Sequence, residues 1–331
     1  MTRTGASDVG GVVRAPERRR RVSPWLAWLV VAPFPAWAVA RLAGLDRVPL
    51  LVEAMAATPY AAVGSLIALL VAAAARVRGA IAVGLATVLT MAAMVVPRAL
   101  PSAPAATGPA LKVLTANLFF GHADAPAVVA LVRRLRPDVL SLQELTPRAL
   151  AALDAAGLGE LLPYRHTEEG WGASGGGIFS RYPLTEQPGF SPGGGHAMPR
   201  ARFTLPTGQA VEIVNVHTVA PLGPAVADWR AQLAALPRPE PGVIRVLAGD
   251  FNATLDHADL RRVLAAGYAD AADATGTGLV PTWPSGRRLP PLITIDHVLY
   301  DRRASAVRTE VHTLPFTDHR AFFAELRLPG R

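Results

Sequence analysis

The sequence contains no cysteine among its 331 residues. Disulfide bridges, thiolate metal sites and cysteine nucleophiles are therefore excluded. Charged residues are also sparse, at 18% of the chain, whereas hydrophobic residues make up 51%. This apolar content excludes a disordered or fibrous chain, because it is sufficient for a packed core. The mean hydropathy of +0.28 is high for a purely soluble protein and indicates membrane segments.

Lysine occurs once, at Lys112, so arginine carries almost all of the positive charge behind the net charge of +8. Residues 1–22 contain six arginines against two acidic residues, and residues 23–109 contain five against two. The remaining 222 residues therefore have a net charge of only +1. The basic excess lies beside apolar segments, which is typical of membrane topology rather than of a surface that follows nucleic-acid phosphates.

Three runs without a charged residue follow the basic N-terminus, at 22–40, 54–75 and 79–96. A bilayer core about 30 Å thick needs roughly 20 helical residues, so these runs predict transmembrane helices. A cleaved signal peptide is the alternative for the first run. We favour a retained helix because the apolar stretch is long and further apolar runs follow it. Buried core helices are the alternative for all three.

Charge near the apolar runs predicts the orientation of the chain. The cluster Arg18–Arg21 predicts that residues 1–21 form a basic cytoplasmic segment. Three crossings then place everything after Arg98 outside the cell, whereas two would leave it inside. Whether the run at 79–96 spans the membrane therefore decides on which side the rest of the chain lies. Residues 99–110 are rich in proline, alanine and serine and predict a linker.

From residue 111 to the C-terminus the sequence changes to short apolar runs separated by glycine and proline turns. Two buried strands are predicted at 111–118 and 139–142, with a helix between them at 125–136. Further strands are predicted at 176–180, 201–205, 211–217, 243–249, 295–300 and 322–326. Many strands with few helices between them predict an α+β fold in which β-sheets pack together and helices lie outside.

Polar residues are expected at the C-terminal ends of these strands, where core packing does not require them. They form six groups: Asn117, Gln143 with Glu144, Asn215 with His217, Asp250 with Asn252, Asp296 with His297, and Asp318 with His319. Any one could be a turn residue or a helix cap, but converging strand ends can bring all six into one cleft. Oxygen ligands suit Mg²⁺ or Mn²⁺, and neutral Asn and His donors can stabilise phosphate charge. The set therefore favours metal-assisted phosphoryl hydrolysis.

The order of these motifs resembles the endonuclease/exonuclease/phosphatase family, which includes DNase I-like nucleases, neutral sphingomyelinases and inositol polyphosphate 5-phosphatases. The segments that carry the resemblance are TANLFFG, DVLSLQEL, GGGIFSRYPL, VEIVNVHT, VLAGDFNAT, TIDHVLY and TDHRAFFAEL. They span residues 111–328. The resemblance implies a four-layer α/β sandwich of two mainly antiparallel sheets, with a catalytic domain at 111–331 and an active site at one edge.

The resemblance also implies a role for each motif residue. Glu144 is similar to the principal ligand of a Mg²⁺ or Mn²⁺ cofactor, assisted by Asn117, and Asp318 resembles a further acidic residue near the metal. His319 resembles the histidine that contacts the scissile phosphate, with Asp296 as its orienting partner. An aspartate beside a histidine fixes the orientation of the ring and raises its basicity.

Three further residues complete the implied site. Asp250 resembles the residue that positions or deprotonates the attacking water. Asn252 and His217 resemble residues that face the phosphate and are expected to bind substrate. Trp283 is predicted either to stack on a substrate group or to be buried in the core.

The other histidines are not expected to be catalytic. His297 follows Asp296 directly and is interpreted as structural. The remaining five lack the spacing of a zinc site and are predicted at surface or loop positions: His122, His166, His196, His257 and His312.

The layout of apolar helices followed by this domain resembles a bacterial membrane-anchored subgroup associated with teicoplanin resistance. For that subgroup the implied substrate is a polyprenyl pyrophosphate carrier of cell-envelope synthesis, such as undecaprenyl pyrophosphate, cleaved outside the cell membrane. The alternatives are an extracytoplasmic nuclease, a sphingomyelinase-like phosphodiesterase, and a non-catalytic membrane scaffold. The weak charge of the domain disfavours nucleic acid as a substrate. No protein partner is predicted.

Overall fold

The computed structural model describes residues 24–102, 105–190, 195–286 and 289–330, so the predicted basic segment at 1–21 lies outside it. Three helical segments in the described part are long and apolar enough to cross a membrane: Pro24–Ala43, Thr58–Ala75 and Arg78–Ala99. The third predicted run is thus as good a candidate span as the other two.

Prolines stand at the beginning of most of these helices, because the N–H that proline lacks has no partner within the first helical turn. The first run divides at Pro33 into two helices, and the second begins at Thr58 rather than at 54, next to Pro59. A short separate helix occupies the preceding residues. The helices are α1 (Pro24–Val31), α2 (Pro33–Ala43), α3 (Pro49–Met55), α4 (Thr58–Ala75) and α5 (Arg78–Val95), followed by a 3-10 turn at Val96–Ala99.

Small residues form the contact between these helices. Ala68 and Ala72 of α4 are buried with Ala80 of α5 and with Ala27 of α1. A side chain at Gly84 would lie 3.3 Å from Leu69 Cδ1, so α4 and α5 approach closely there. Large apolar side chains face outward instead, among them Trp25, Leu29, Leu66, Ile67, Leu70 and Leu89. Small residues inside and large apolar residues outside are typical of helices packed within lipid.

The rest of the described chain contains two six-stranded sheets. In chain order the strands are β1 (Ala110–Asn117), β2 (Val139–Gln143), β3 (Tyr164–Glu168), β4 (Gly176–Ser180), β5 (Thr185–Phe190), β6 (Met198–Thr204), β7 (Ala210–His217), β8 (Ile244–Asp250), β9 (Tyr268–Asp270), β10 (Asp296–Asp301), β11 (Ser305–Thr313) and β12 (Arg320–Arg327). In the first sheet the strand order is β11-β12-β1-β2-β4-β3, and in the second it is β5-β6-β7-β8-β10-β9.

The sheets pack face to face through one apolar core and carry helices on their outer faces. The first sheet is covered by α6 (Ala125–Leu135), α7 (Pro147–Ala155) and α8 (Leu158–Leu161). The second is covered by α9 (Val226–Ala235) and α10 (Ala258–Ala265), while α11 (Ala271–Ala274) packs beside the inner core. The predicted α+β four-layer sandwich is confirmed.

Strand direction explains how the polar groups converge. The pairs β1–β2 and β7–β8 are parallel, so Asn117 lies beside Gln143, and His217 lies beside Asp250. Strand β10 runs antiparallel to β8, which pairs Asp296 with Asp250. The groups at Asp296 and at 318–319 therefore begin their strands rather than ending them, because β10 and β12 run in the opposite direction. All the groups still meet at one edge.

The segment between the helices and the sheets runs along the domain that the two sheets form. Ser102 N donates to Ala274 O at 2.9 Å, and Gly108 N donates to Leu328 O at 2.9 Å. Ala106 N donates to the hydroxyl of Ser305 at 2.9 Å. The described part of the predicted linker is thus hydrogen-bonded to the domain.

The helical segment contacts the domain at the loop that follows Asp250. Asp256 in this loop accepts two hydrogen bonds from Arg98, at 2.6 and 2.8 Å, and one from Arg41 Nε at 3.0 Å. The carboxylate of Asp46 accepts from Ala258 N at 2.8 Å. The C-terminal ends of α2 and α5 therefore lie against the domain, as does the N-terminal end of α4 through Tyr60.

Candidate active site

Two turns place side chains at the edge of the sheets. Glu144 follows β2 and Asn252 follows β8, and both adopt left-handed backbone conformations, with φ of 57° and 46°. Residues other than glycine rarely adopt this region, and it costs energy that the surrounding structure must supply. The turns redirect the chain at the sheet edge, so that both side chains belong to the group around Asp250.

Asn117 connects the two sheets at the centre of the site. Its Nδ2 donates to Glu144 Oε1 at 3.0 Å and to Asp250 Oδ2 at 3.2 Å. The other oxygen of Glu144 accepts from Phe120 N at 2.5 Å, and the carbonyl of Asn117 accepts from the Thr317 hydroxyl at 2.8 Å. The amide therefore holds two carboxylates, one from each sheet, in a fixed relation.

His319 and Asp296 form a buried pair. His319 Nδ1 lies 3.1 and 3.0 Å from the two carboxylate oxygens of Asp296, and Nε2 lies 3.7 Å from Asp250 Oδ2. Burial lowers the pKa of His319, but the carboxylates of Asp296 and Asp250 outweigh it and raise the pKa to about 10. The imidazole is therefore positively charged at neutral pH.

Asp250 lies between the histidine pair and the turn at Asn252. Burial raises the pKa of the Asp250 carboxyl to about 7, although the charge of His319 opposes the shift. Its Oδ1 accepts from Asn252 N at 2.8 Å, and the Asn252 side chain donates to Thr218 O at 2.8 Å. Such a carboxyl can exchange a proton with water near neutral pH.

His217 is the neutral histidine of the site. Its Nε2 lies 3.8 Å from Glu144 Oε1 and 3.8 Å from Asp250 Oδ2. Burial holds the pKa of His217 well below its usual range, with further lowering by His196 and His319. The His196 ring stacks on it, with centroids 4.0 Å apart. His196 was predicted at a surface or loop position, and it lies half-buried in a loop, where its Nδ1 is also 3.2 Å from His217 O.

Asp318 and Trp283 form one border of the site. Trp283 Nε1 donates to Asp318 Oδ2 at 3.3 Å, and Asp318 Oδ1 lies 3.9 Å from His319 Nε2. The indole is half-buried rather than enclosed in the core. It therefore remains accessible beside the carboxylates, as stacking on a substrate group would require.

The donor chemistry of the site fits a divalent cation. Glu144 is a buried carboxylate with no arginine or lysine within salt-bridge distance among the described residues, and burial raises its pKa. Asp250, Asp296 and His319 also each offer one ligand atom within 4.8 Å of the others. In that trio His319 Nδ1 already lies within hydrogen-bond distance of both carboxylate oxygens of Asp296, so these two residues are engaged with each other. Glu144 with Asn117 is the better position for an oxygen-bound ion.

His297 and His257 have different surroundings from the site histidines. His297 is fully buried, with Nδ1 2.8 Å from Asp270 Oδ2 and Nε2 2.9 Å from Ala253 O, which agrees with its interpretation as structural. His257 was predicted at a surface or loop position, and its burial contradicts the surface reading. Its Nε2 bonds to Val52 O at 2.9 Å, a contact that no local sequence pattern reveals.

The catalytic part of the chain is similar to known proteins. Residues 114–319 match the Endonuclease/Exonuclease/phosphatase family. The fold is similar to an endonuclease/exonuclease/phosphatase from Beutenbergia cavernae, with 22% identity, a TM-score of 0.51, and coverage of 67% of this chain and 72% of that one. It is also similar to truncated Caenorhabditis elegans TDP2, with 19% identity, a TM-score of 0.53, and coverage of 66% and 97%.

A family protein from Bacteroides thetaiotaomicron has 17% identity and a TM-score of 0.53, with 67% of this chain and 96% of that one covered. No curated protein matches the sequence. Members of the matched family are divalent-metal-dependent hydrolases of phosphodiesters or phosphate esters. The match covers more than half of the chain, and on that basis this protein belongs to the endonuclease/exonuclease/phosphatase family.

Proposed function

We propose that this protein is a membrane-anchored, metal-dependent hydrolase of a lipid-linked phosphate ester or pyrophosphate, such as undecaprenyl pyrophosphate, at the outer face of the cell membrane. One observation carries the proposal. Asp256, six residues after Asp250, is held by Arg41 and Arg98 at the ends of two apolar helical segments. The active site therefore lies close to where those helices would leave the bilayer, which suits a substrate that resides there.

The helix directions support an outer location for the domain. The turn at Arg76 and Arg78 lies at the end of the bundle remote from the domain, because α4 begins and α5 ends beside the domain. A three-span topology puts this turn on the same side as the six arginines of residues 1–22, and only Arg41, Arg47 and Arg98 on the other. The side richer in arginine is the cytoplasmic one.

Each site residue has a proposed role in the hydrolysis. Glu144, Asn117 and Asp318 would hold the Mg²⁺ or Mn²⁺ ion, which supplies Lewis-acid stabilisation of the phosphate when bound. Asp250 orients a water molecule for attack on phosphorus and accepts its proton. His319, kept charged by Asp296, donates to a phosphate oxygen as negative charge develops there.

Two neutral groups complete the contact with the phosphate. His217 is uncharged, so its Nε2 can take part in a hydrogen bond without adding charge. The Asn252 amide donates to Thr218 O at 2.8 Å and, over a longer 3.4 Å, to Asp250 Oδ2, and this second hydrogen is proposed to turn to a phosphate oxygen. Trp283 is proposed to stack against the substrate beside Asp318. These groups orient the phosphate relative to the attacking water.

A nuclease is the second candidate. A similar structure, Danio rerio TDP2, with 16% identity and a TM-score of 0.51, was determined with a single-strand DNA product. The net charge of only +1 over residues 110–331 of this chain gives little attraction for a polyanion. The lipid reading is therefore preferred.

A substrate panel tests the proposal. The full chain in detergent with Mg²⁺ would be incubated with undecaprenyl pyrophosphate, sphingomyelin and plasmid DNA, with His319→Ala as the matched inactive control. Release of phosphate from the lipid pyrophosphate by the wild type alone is the expected result. Cleavage of DNA without lipid turnover would favour the nuclease, and binding of Mg²⁺ without any turnover would favour a non-catalytic scaffold.

A further inference from the structure

A cavity of about 290 Å³ lies between the apolar helices and the catalytic domain. One wall is formed by Pro59 and Val63 of α4 and by Val95 at the end of α5. The opposite wall is formed by Leu255, Leu279 and Ile293 of the domain. The cavity thus joins the part of the chain that is apolar enough to enter a bilayer to the part that carries the chemistry.

The mouth of the cavity lies at the depth where a bilayer would end. Val63 is one turn into α4 and 62% exposed, so it would face lipid chains. On the domain side, Leu279 and Leu292 are large apolar residues that remain exposed. The hydroxyl of Tyr60 donates to Leu292 O at 2.7 Å, and tyrosine is enriched at membrane interfaces. The surroundings of the mouth are therefore apolar on both sides.

The cavity offers hydrocarbon contacts rather than polar ones. The charged residues that line it, Arg98 and Asp256, are bonded to each other through both guanidinium ends, at 2.6 and 2.8 Å. The Thr294 hydroxyl is also occupied, because it donates to Val280 O at 2.9 Å. A polar ligand would find these groups already engaged, whereas a hydrocarbon chain needs none of them.

The walls of the cavity continue into the active site. Ile293 N donates to Trp283 O at 2.9 Å, and Trp283 N donates to Ile293 O at 3.0 Å. Ile293 in the cavity wall is therefore paired with the tryptophan whose Nε1 donates to Asp318. Along the chain, Thr294 precedes Asp296 by two residues. A ligand that filled the cavity would therefore have its head near the carboxylates.

We infer that this cavity binds one hydrocarbon chain of the substrate lipid, at the segment adjacent to the phosphate. The inference rests on the proposed function and extends it, since it makes chain recognition part of substrate selection. The ligand class is a phosphorylated lipid with an apolar chain entering from the bilayer. Water-soluble phosphates of the same headgroup would lose this contact and react less efficiently.

The test compares two substrates with the same headgroup on the full chain in lipid nanodiscs. Undecaprenyl pyrophosphate carries the long chain, and isopentenyl pyrophosphate is the water-soluble counterpart. Val63→Trp fills the cavity from the helix side, and Leu279→Trp fills it from the domain side. Each should lower the ratio of kcat/KM for the long-chain substrate over the short one by about tenfold.

Leu66→Trp is the matched control, because Leu66 lies on the same helix, is exposed and does not line the cavity. It should keep the wild-type ratio. If either cavity variant fails to fold, the other still gives the measurement from the opposite wall. A folded cavity variant with the wild-type ratio would overturn the inference while leaving lipid hydrolysis established. If the wild type hydrolyses neither of the two pyrophosphates, the proposed function is overturned, and the inference with it.

Discussion

Two buried Asp–His pairs in this protein allow catalysis to be separated from folding. His319 pairs with Asp296 at 3.0 Å in the site, and His297 pairs with Asp270 at 2.8 Å in the core behind it. Replacing each histidine by alanine removes a similar buried interaction. Of these two histidines, only His319 lies beside a further site carboxylate, with its Nε2 3.7 Å from Asp250 Oδ2. The two variants should therefore differ in turnover.

The structure suggests the size of each effect. Loss of one preorganised electrostatic contact to a developing charge lowers kcat by about 10²–10³-fold, which is the expectation for His319→Ala. Asp296→Asn should reproduce part of that loss, because the imidazole remains but loses its anionic partner. The double variant should be barely worse than His319→Ala, since residues that act as a unit are not additive. His297→Ala leaves Asp270 buried without its partner, which costs about 3–5 kcal/mol of unfolding free energy.

The assay is kcat under saturating Mg²⁺ and substrate, measured on folded, monodisperse protein, alongside thermal unfolding of each variant. His297→Ala should unfold earlier, yet its folded fraction should turn over within about tenfold of the wild type, since the ring nitrogens of His297 bond to Asp270 and Ala253 O rather than to the residues assigned to the site. If His319→Ala retains more than about a tenth of wild-type kcat, the electrostatic role is wrong. An equal loss of kcat in the two variants would also refute the reasoning.

Four further predictions follow from the site and the fold. EDTA should abolish turnover and Mg²⁺ or Mn²⁺ should restore it; full activity after exhaustive chelation would contradict the metal assignment. A periplasmic-type phosphatase reporter fused after Arg331 should be active in cells, whereas a dark reporter would mean two crossings. Arg98→Gln should lower thermal stability and kcat together, because Asp256, in the loop that follows Asp250, loses its bidentate partner. An unchanged kcat would show that the Arg98–Asp256 contact does not position this loop. Glu212, with its pKa lowered to about 2 by hydrogen bonds from Arg245, Arg200 and Arg202 that outweigh burial, should contribute about 3 kcal/mol at neutral pH. The stability difference from Glu212→Gln should shrink as the pH falls from about 4.5 towards about 2, and a difference independent of pH would refute it.

Strands with apolar sequence were predictable, and exposed edge strands were not. The strand at Gly176–Ser180 has its predicted bounds, β7 begins one residue before its predicted start, and β1 is shifted by one residue at both ends. The four strands at the ends of the two sheets, β3, β5, β9 and β11, were all missed. The sequences of β3 and β5, YRHTE and TEQPGF, are polar and largely exposed. Hydrogen bonds to neighbouring strands hold them in place, and such pairing leaves little local signal.

The sequence by itself determined the order of the apolar helices, an α+β sandwich and the residue types at the strand ends, because periodicity is a local property of the chain. The resemblance of its motifs to a known family implied the four layers. The sequence did not distinguish the surroundings of three buried histidines. His319 is charged beside Asp296, His217 is neutral, and His257 bonds to the backbone carbonyl of Val52.

Only the tertiary structure decided how the apolar helices meet the domain that carries the candidate active site. Arg98 and Asp256 are 158 residues apart along the chain, yet they form a bidentate pair next to the catalytic loop. The cavity between them and α4 exists only once both parts are packed. Charge state, burial and cavity shape depend on atoms brought together from distant segments, so no pattern confined to one stretch of sequence contains them.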